Sequence, residues 1–409
     1  MKRNRRKRIK REQEKIKAVS MKKNTTKKAF KKSIFIILIS LLFVGYLSYI
    51  VILITGIPKE DPLNSNGSSS YLLSKTTFDD LDKTLWIFEE GEGGDSKITE
   101  AFLIASNSEK SFLLNIYIPG WLYFASTEED FGDALAVSNF KYAGEFLEEG
   151  RGIEYAIWQF EQMLGTKIDN YIWIGGKEQS LYSDIFGYFR DSKGDFNYDS
   201  SQENFTQDSL LLDSFVSEFS FLKIPLHPDK ISGIGEGIVS NRNFMEVLNK
   251  ISQTSRQLNG YEKHIIDLGG AEYVSEELSA SGGVAYYFNS SAYDEVFREY
   301  LLSILDRELE KEQVKVEVYN GSGISGAAGQ MARKIENSGS DVVRYENAPD
   351  LLERTILYVP DEERFKNSLS VVQEVVGTNV EVRNTRPDFM TTGDIIVVLG
   401  EDIEKMYAF

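Results

Sequence analysis

A run of residues without a formal charge, Ser33–Ile57, constrains this chain more than any other stretch of its sequence. As a helix it would extend about 37 Å, enough to cross the roughly 30 Å of hydrocarbon in a bilayer. The run ends in TGIPKED, without the small-residue pattern of a signal-peptide cleavage site. The sequence therefore predicts an uncleaved transmembrane helix at residues 33–57.

Positive charge is concentrated ahead of this segment. Residues 1–32 contain 16 Lys or Arg and two Glu, a net charge of +14, whereas the whole chain carries −17, which leaves −31 for residues 33–409. The positive-inside rule predicts a basic cytoplasmic tail and an extracytoplasmic acidic body. We interpret the tail as a topogenic segment that also contacts anionic lipid headgroups, with nucleic-acid binding as the alternative.

The chain has no cysteine and only two histidines, His227 and His264. Disulfides, thiol catalysis and thiolate metal sites are therefore excluded. Neither histidine stands in a zinc-protease or Ser-His-Asp sequence pattern, so both are expected to be ordinary surface or core residues.

Residues 58–70 have the composition of a flexible linker, and residues 71–312 alternate strand and helix signals. Residues 190–210 are polar and acidic, which predicts an exposed excursion. In the last helix of this domain, over 291–312, Ser291 and Asp294 are interpreted as a capping pair. Strands are predicted at 85–88, 101–105, 112–118 and 171–174, and a helix at 153–164 that ends at Gly165.

Residues 313–409 follow a repeated strand–helix plan. Two βαβ passages in about 95 residues predict one small sheet with helices on a face. The predicted strands are 314–319, 341–345, 355–359, 380–382 and 394–399, and the predicted helices are 325–337 and 361–376.

Gly321, Gly323 and Gly326 spell G-x-G-x-x-G between the first strand and the first helix of this last domain, as in a dinucleotide site. Fewer than 90 residues follow Gly321, too few for a doubly wound dinucleotide fold. Nicotinamide cofactors are also not expected outside the cell membrane. The favoured interpretation is a structural turn, in which Asn320 and Gly321 redirect the chain and Gly323 and Gly326 allow close helix packing.

The order VEVYNGSGISGAAGQMARKIENSGSDV, TILYVP, a helix, VEVRN and DIIVVLGED resembles the C-terminal domain of LytR-CpsA-Psr cell-envelope proteins, over residues 313–402. Residues 85–174, with EQMLGTKIDNYIWIG as the best-preserved piece, are similar to the catalytic domain of the same family. The resemblance implies a central mixed-sheet α/β/α domain at residues 71–312, followed by a small α/β domain.

Members of that family transfer glycopolymers from a polyprenyl-pyrophosphate carrier to peptidoglycan with Mg²⁺ and arginines. The resemblance makes Glu90 and Glu100 candidate metal ligands. Arg151 and Arg242 are candidate catalytic residues, because a guanidinium pairs bidentately with phosphate. Mg²⁺ is expected only if the chain is catalytic.

The chain departs from the family pattern at YIPGW, where Gly120 and Trp121 replace an arginine and an aspartate. Each charge-assisted hydrogen bond to a buried anion contributes about 1.5 to 3 kcal/mol, so losing such a clamp would weaken pyrophosphate binding by orders of magnitude. We therefore expect a noncatalytic or divergent relative, a scaffold that binds cell-wall glycopolymer, polyprenyl phosphate or envelope proteins. An active Mg²⁺-dependent phosphotransferase is the alternative, and a transcriptional role is a third, less favoured hypothesis.

Overall fold

The computed structural model describes residues 35–59, 61–65, 72–73, 81–91, 96–125, 131–187, 211–278, 283–304, 311–377 and 380–403. The chain divides into two compact units, Met1–Gly56 and Ile57–Phe409. The predicted basic tail and the predicted excursion at 190–210 both lie outside the described residues.

The first unit contains helix α1, Phe35–Thr55, which is long and apolar enough to cross a membrane. At 1.5 Å per residue it measures about 31 Å, close to the thickness of bilayer hydrocarbon. Large apolar side chains along it are exposed, among them Leu41, Leu42 and Ile52. The helix of a soluble core would bury such a face.

The second unit begins with a domain built on a six-stranded sheet, which we call the body. The sheet contains β1 Leu81–Glu90, β2 Lys97–Asn107, β3 Phe112–Pro119, β6 Asn170–Ile174, β7 Val239–Ser240 and β8 Glu262–Asp267, in the order β7-β6-β1-β2-β3-β8. β1 is parallel to β6 and β3 is parallel to β8, whereas the other neighbours are antiparallel. The sheet is therefore mixed, as predicted.

Helices cover both faces of this sheet. On one face, Leu85 and Ile87 lie in a core cluster with Phe160. On the other face, the Phe88 ring lies 5.4 Å from the Phe215 ring. Both faces of β1 are apolar because both are covered, which confirms the α/β/α class. The helices are α2 Pro62–Ser65, α3 Phe140–Leu147, α4 Gly152–Leu164, α5 Gly176–Phe186, α6 Leu211–Ser217, α7 Pro228–Gly237, α8 Phe244–Gly260 and α9 Ser290–Ile304.

Two features of the body differ from the sequence-based expectation. Part of the predicted linker is folded, since α2 places Leu63 in the core with no exposed surface. A small second sheet was not foreseen, because two of its strands have only two residues each. It contains β4 Tyr123–Phe124, β5 Leu135–Ala136, β9 Val274–Leu278 and β10 Val284–Phe288, in the order β5-β4-β10-β9.

The last domain, which we call the terminal domain, has a five-stranded sheet in the order β12-β11-β15-β13-β14. β11 pairs in parallel with β12 and β13 with β14, so both predicted βαβ passages are present. α11 begins at Lys366, five residues later than predicted. The elements are β11 Lys315–Asn320, α10 Ala327–Glu336, β12 Asp341–Asn347, β13 Ile356–Tyr358, α11 Lys366–Val376, β14 Glu381–Arg383 and β15 Ile395–Leu399.

Candidate functional site at the carboxyl edge of the body sheet

Four strands of the body sheet, β1, β3, β6 and β8, end at the same edge, which we call the carboxyl edge. The opposite edge is the amino edge. Ligands of open α/β sheets bind outside the carboxyl ends of the strands. The antiparallel register also brings the start of β2 to the carboxyl edge, with Glu90 opposite Lys97 and Glu100 opposite Pro119.

Acidic side chains dominate this edge. Glu89 and Glu100 are each 5% exposed, and Glu90 is half-buried. Asp267 ends β8, and burial raises the pKa of its carboxyl to about 6, although a hydrogen bond from the Gly269 N–H acts in the opposite direction. The two candidate metal ligands, Glu90 and Glu100, thus lie at one edge together with two acids that were not singled out in the sequence.

Glu89 is the best-organised of these acids. Its carboxylate accepts two hydrogen bonds from Lys141 Nζ, at 2.7 and 2.8 Å, and a third from the Trp173 indole at 2.6 Å. The ammonium also lies 5.5 Å from the centre of the Trp173 ring. A register shift between Phe88 and Glu89 interrupts the strand alternation at this point.

Arg151 lies towards the carboxyl edge, at the N-terminal end of α4. Its guanidinium donates to Glu154 at 2.8 and 2.6 Å and to Glu148 at 2.6 Å. The hydrogen bonds to Glu154, and to a smaller extent the one to Glu148, raise the pKa of Arg151 above its usual range. The charge of Arg151 is therefore engaged by its own helix and the preceding turn.

Arg242 lies at the amino edge, so the structure does not bring it together with Glu90 and Glu100. Its guanidinium is 3.8 Å from the carboxylate of Asp82, which also lies 2.9 Å from Lys250 Nζ. Burial raises the pKa of Asp82, but Lys250 and Arg242 outweigh that effect and hold it below its usual value. Asp82 and Glu90 are eight residues apart on β1, or about 26 Å.

Gly120 and Trp121 follow directly after β3 at the carboxyl edge. A Cβ on Gly120 would lie 2.4 Å from the carbonyl oxygen of Ile98 and 2.7 Å from that of Thr99. Backbone therefore fills the space that a side chain at position 120 would need. Trp121 is half-buried, and its ring meets that of Tyr286 edge-on at 5.7 Å.

Mg²⁺ takes carboxylate, carbonyl and water oxygens, and in phosphate-binding sites one or two carboxylates hold it together with the substrate. Among the described residues, no group of three or more His, Asp or Glu side chains is placed to hold a metal ion. Glu89, the carboxylate with the most developed contacts, is occupied by a cation and an indole N–H.

The glycine-rich turn lies in the terminal domain, between β11 and α10. Asn320 Oδ1 accepts hydrogen bonds from the Ser322 N–H and hydroxyl, and Asn320 Nδ2 donates to the carbonyl of Ile324. A Cβ on Gly321 would lie 2.8 Å from the carbonyl oxygen of Leu399, whereas Gly323 and Gly326 have φ of +78° and +76°. Nothing lies within 4 Å of a Cβ on Gly326, so backbone conformation rather than helix packing explains that glycine.

The terminal domain docks on the C-terminal end of α4, at the amino edge. Arg333 of α10 donates to the carbonyls of Gln162 and Met163 at 2.6 and 2.9 Å, and to the carboxylate of Asp294 at 2.6 and 2.9 Å. Asn337 also donates to Asp294, at 2.8 Å. The guanidinium thus satisfies carbonyl groups that the end of a helix leaves without intrahelical partners.

A second group of charges is buried near this contact. Lys167 and Glu161 form an ion pair of 3.2 Å, and both side chains are at most 4% exposed. Lys334 of α10 is 2% exposed. Burial lowers the pKa of Lys334 to about 7, and the positive charges of Lys167 and Arg333 act in the same direction.

Residues 313–402 match the family described as LytR cell envelope-related transcriptional attenuator. The terminal domain is a LytR C-terminal domain. The resemblance proposed for these residues is confirmed, and the glycine-rich turn belongs to this domain. No curated protein matches the chain in sequence.

Three solved structures illustrate what the fold is similar to. TagT bound to LI-WTA is 10% identical, with 58% of this chain and 98% of that one covered and a TM-score of 0.37. Lin1025 from Listeria innocua is 14% identical, with 55% and 100% covered and a TM-score of 0.33. The transcriptional regulator yvhJ from Bacillus subtilis is 11% identical, with 56% and 98% covered and a TM-score of 0.39.

Proposed function

We propose that this chain is a membrane-anchored cell-envelope protein of the LytR-CpsA-Psr type whose body binds cell-wall glycopolymer without catalysis. Helix α1 acts as a single-pass anchor, with residues 1–32 in the cytoplasm and both domains outside. The LytR C-terminal domain supports the envelope role. The net charge of +14 ahead of α1 supports the orientation.

The lack of room for a side chain at Gly120 is the main support for a noncatalytic role. An arginine there, as the resemblance implies, would collide with the backbone of β2, since even a Cβ would lie 2.4 Å from the Ile98 carbonyl oxygen. Lys141, the cation that contacts Glu89, is engaged by that carboxylate. A pyrophosphate approaching the carboxyl edge would therefore meet mainly like charge.

The same edge favours a neutral sugar over a diphosphate. Sugar hydroxyls donate hydrogen bonds, and the half-buried carboxylates of Glu90 and Asp267 can accept them. Half-buried Trp121, beside Tyr286, offers an apolar surface next to these acids. This combination of a few polar groups with aromatic side chains is typical of small-ligand sites.

The test uses the full chain in detergent micelles. Incubation with labelled geranyl pyrophosphate and Mg²⁺ is expected to release no phosphate, whereas the chain should co-sediment with purified peptidoglycan–glycopolymer fragments. Trp121→Ala should weaken co-sedimentation, and Phe146→Ala, which changes an aromatic residue that is 73% exposed on α3, should not.

Mg²⁺-dependent phosphate release that is lost in Glu100→Gln would establish the phosphotransferase alternative. Absence of co-sedimentation would refute the glycopolymer assignment and leave an envelope protein as the partner to be tested.

A further inference from the structure

An exposed apolar surface lies between α6 and α7, in the sequence FLKIPL. Phe221, Leu222 and Leu226 are 42%, 86% and 72% exposed, respectively. We call these six residues the 221–226 surface. Single exposed apolar side chains are common on proteins, but three within six residues form a patch of the kind that marks an interaction site.

The fold holds these side chains outward. Ile224, within the same segment, is 3% exposed and anchors it to the body. The Phe219 ring lies 5.1 Å from that of Phe186 and 4.8 Å from that of Phe221. Backbone hydrogen bonds from Leu226 to Lys223 and from His227 to Ile224 complete a 3₁₀ turn. The exposed leucines therefore belong to an ordered part of the surface.

The chain enters the body beside α7. Ile57 is the first residue of the second unit, and its Cδ1 would lie 2.6 Å from a Cβ on Gly235, near the end of α7. α7 begins at Pro228, two residues after Leu226, and its ten residues span about 15 Å. One helix thus connects the entry point of the chain with the 221–226 surface.

We infer that the 221–226 surface inserts into the lipid interface of the outer leaflet. This inference rests on the proposed role of α1 as an anchor. Apolar side chains of interfacial segments are buried about 5–10 Å into the boundary between headgroups and acyl chains. α1 would hold the body at the membrane, and the 221–226 surface would fix which side of the body faces it.

The absence of cysteine gives a direct test, because a single introduced thiol can be labelled uniquely. Leu222→Cys and Met390→Cys replace side chains that are 86% and 88% exposed, so they form a matched pair. Each full-length variant is labelled with a polarity-sensitive fluorophore and reconstituted into phosphatidylcholine vesicles that contain acyl-chain nitroxide lipid. We expect a blue-shifted emission at position 222 that the nitroxide quenches several-fold more than at position 390, and that high salt leaves unchanged.

The outcomes separate the inference from the function on which it rests. Release of the chain from vesicles by alkaline carbonate would refute the anchor itself. A chain that stays in the vesicles but shows equal, water-like emission at both positions would overturn the lipid contact alone. A blue shift at position 222 without nitroxide quenching would also overturn it, and would indicate contact with a second copy.

Discussion

The two edges of the body sheet differ in charge, although the same strands connect them. The carboxyl edge presents Glu89, Glu90, Glu100 and Asp267, with Lys141 bonded to Glu89. The amino edge gathers cations from both domains: Arg242, Lys250, Lys167, Arg333 and Lys334.

The cations at the two edges have different partners. At the carboxyl edge, cation and carboxylate belong to the same domain and neutralise each other, which leaves little to attract a diphosphate. At the amino edge, Arg333 joins the terminal domain to Asp294 and to α4 of the body. The family that this chain resembles uses arginines to bind phosphate. In this chain, Arg333 instead joins the two domains.

Replacement of Arg333 by Met should have the largest effect. Asp294, whose side chain is 10% exposed, would lose its cation and the end of α4 would lose two donors. Removal of one partner from a buried pair costs about 3–5 kcal/mol, so the free energy of unfolding should fall by about that amount. Urea unfolding of the full chain in detergent measures it.

Arg383→Met is the matched control, because Arg383 pairs with Glu381 on an exposed strand. Its unfolding midpoint should equal that of the wild type. If Arg333→Met behaved like this control, the amino edge would not hold the domains together.

At the carboxyl edge, Lys141→Met should cost about 2 kcal/mol, since Glu89 would keep only the indole donor of Trp173. Adding Glu89→Gln should recover part of the loss, with a coupling free energy of about 1–2 kcal/mol in a double-mutant cycle. Lys230→Met, at an exposed pair with Asp184, serves as the control and should change little. Strict additivity of the two changes would mean that the pair is not a unit.

The buried lysine of the interface predicts a pH dependence. Lys334 has a folded pKa of about 7, below its usual 10.5, so above pH 7 the unfolded chain binds more protons than the folded one. The contribution of Lys334 to the free energy of unfolding is flat below pH 7 and then rises by about 2 kcal/mol up to pH 9. Lys334→Met should remove this rise from a series of urea titrations. Lys315→Met, at an exposed position, should retain it, and an identical rise in both variants would refute the assignment.

The smallest expected change in stability concerns the glycine-rich turn between β11 and α10. Gly326→Ala should destabilise by about 1 kcal/mol, because φ of +76° is unfavourable for a residue with a Cβ. Gly329→Ala, within α10, should be neutral or stabilise by up to about 1 kcal/mol, since its Cβ would meet Tyr345 at an ordinary 3.7 Å. Thermal unfolding compares the two, and an equal loss would mean that packing rather than φ dominates the turn.

The strands and the α/β plan could be predicted because they depend on local apolar patterns such as FLLNIYIP, which is buried throughout. Contacts between distant residues could not. Asp294 was interpreted as the partner of Ser291 in a capping pair, but α9 already begins at Ser290. The Asp294 carboxylate instead binds Arg333, 39 residues away. That pairing depends on how two domains meet, and no local spacing encodes it.

The candidate site was predictable to a similar extent. Glu90, Glu100 and Arg151 were assigned from the resemblance, and the fold brings them towards one edge. Glu89 was not assigned, because its contacts with Lys141 and Trp173 join residues that are distant in sequence. Arg242 was assigned without knowledge of the chain direction; it follows β7 at the amino edge, beside Asp82 near the start of β1. The roles of these residues remain predictions.

The docking of α10 on α4 also has a consequence for biosynthesis. The carbonyl oxygens of Gln162 and Met163 accept hydrogen bonds from Arg333, which is synthesised about 170 residues later. A nascent chain that has emerged only as far as α9 lacks this donor, so the carbonyl groups at the end of α4 have fewer hydrogen-bond partners. We therefore expect the body to reach its full stability only after the terminal domain has been synthesised, and chains that stop before Ala327 to be more sensitive to proteases.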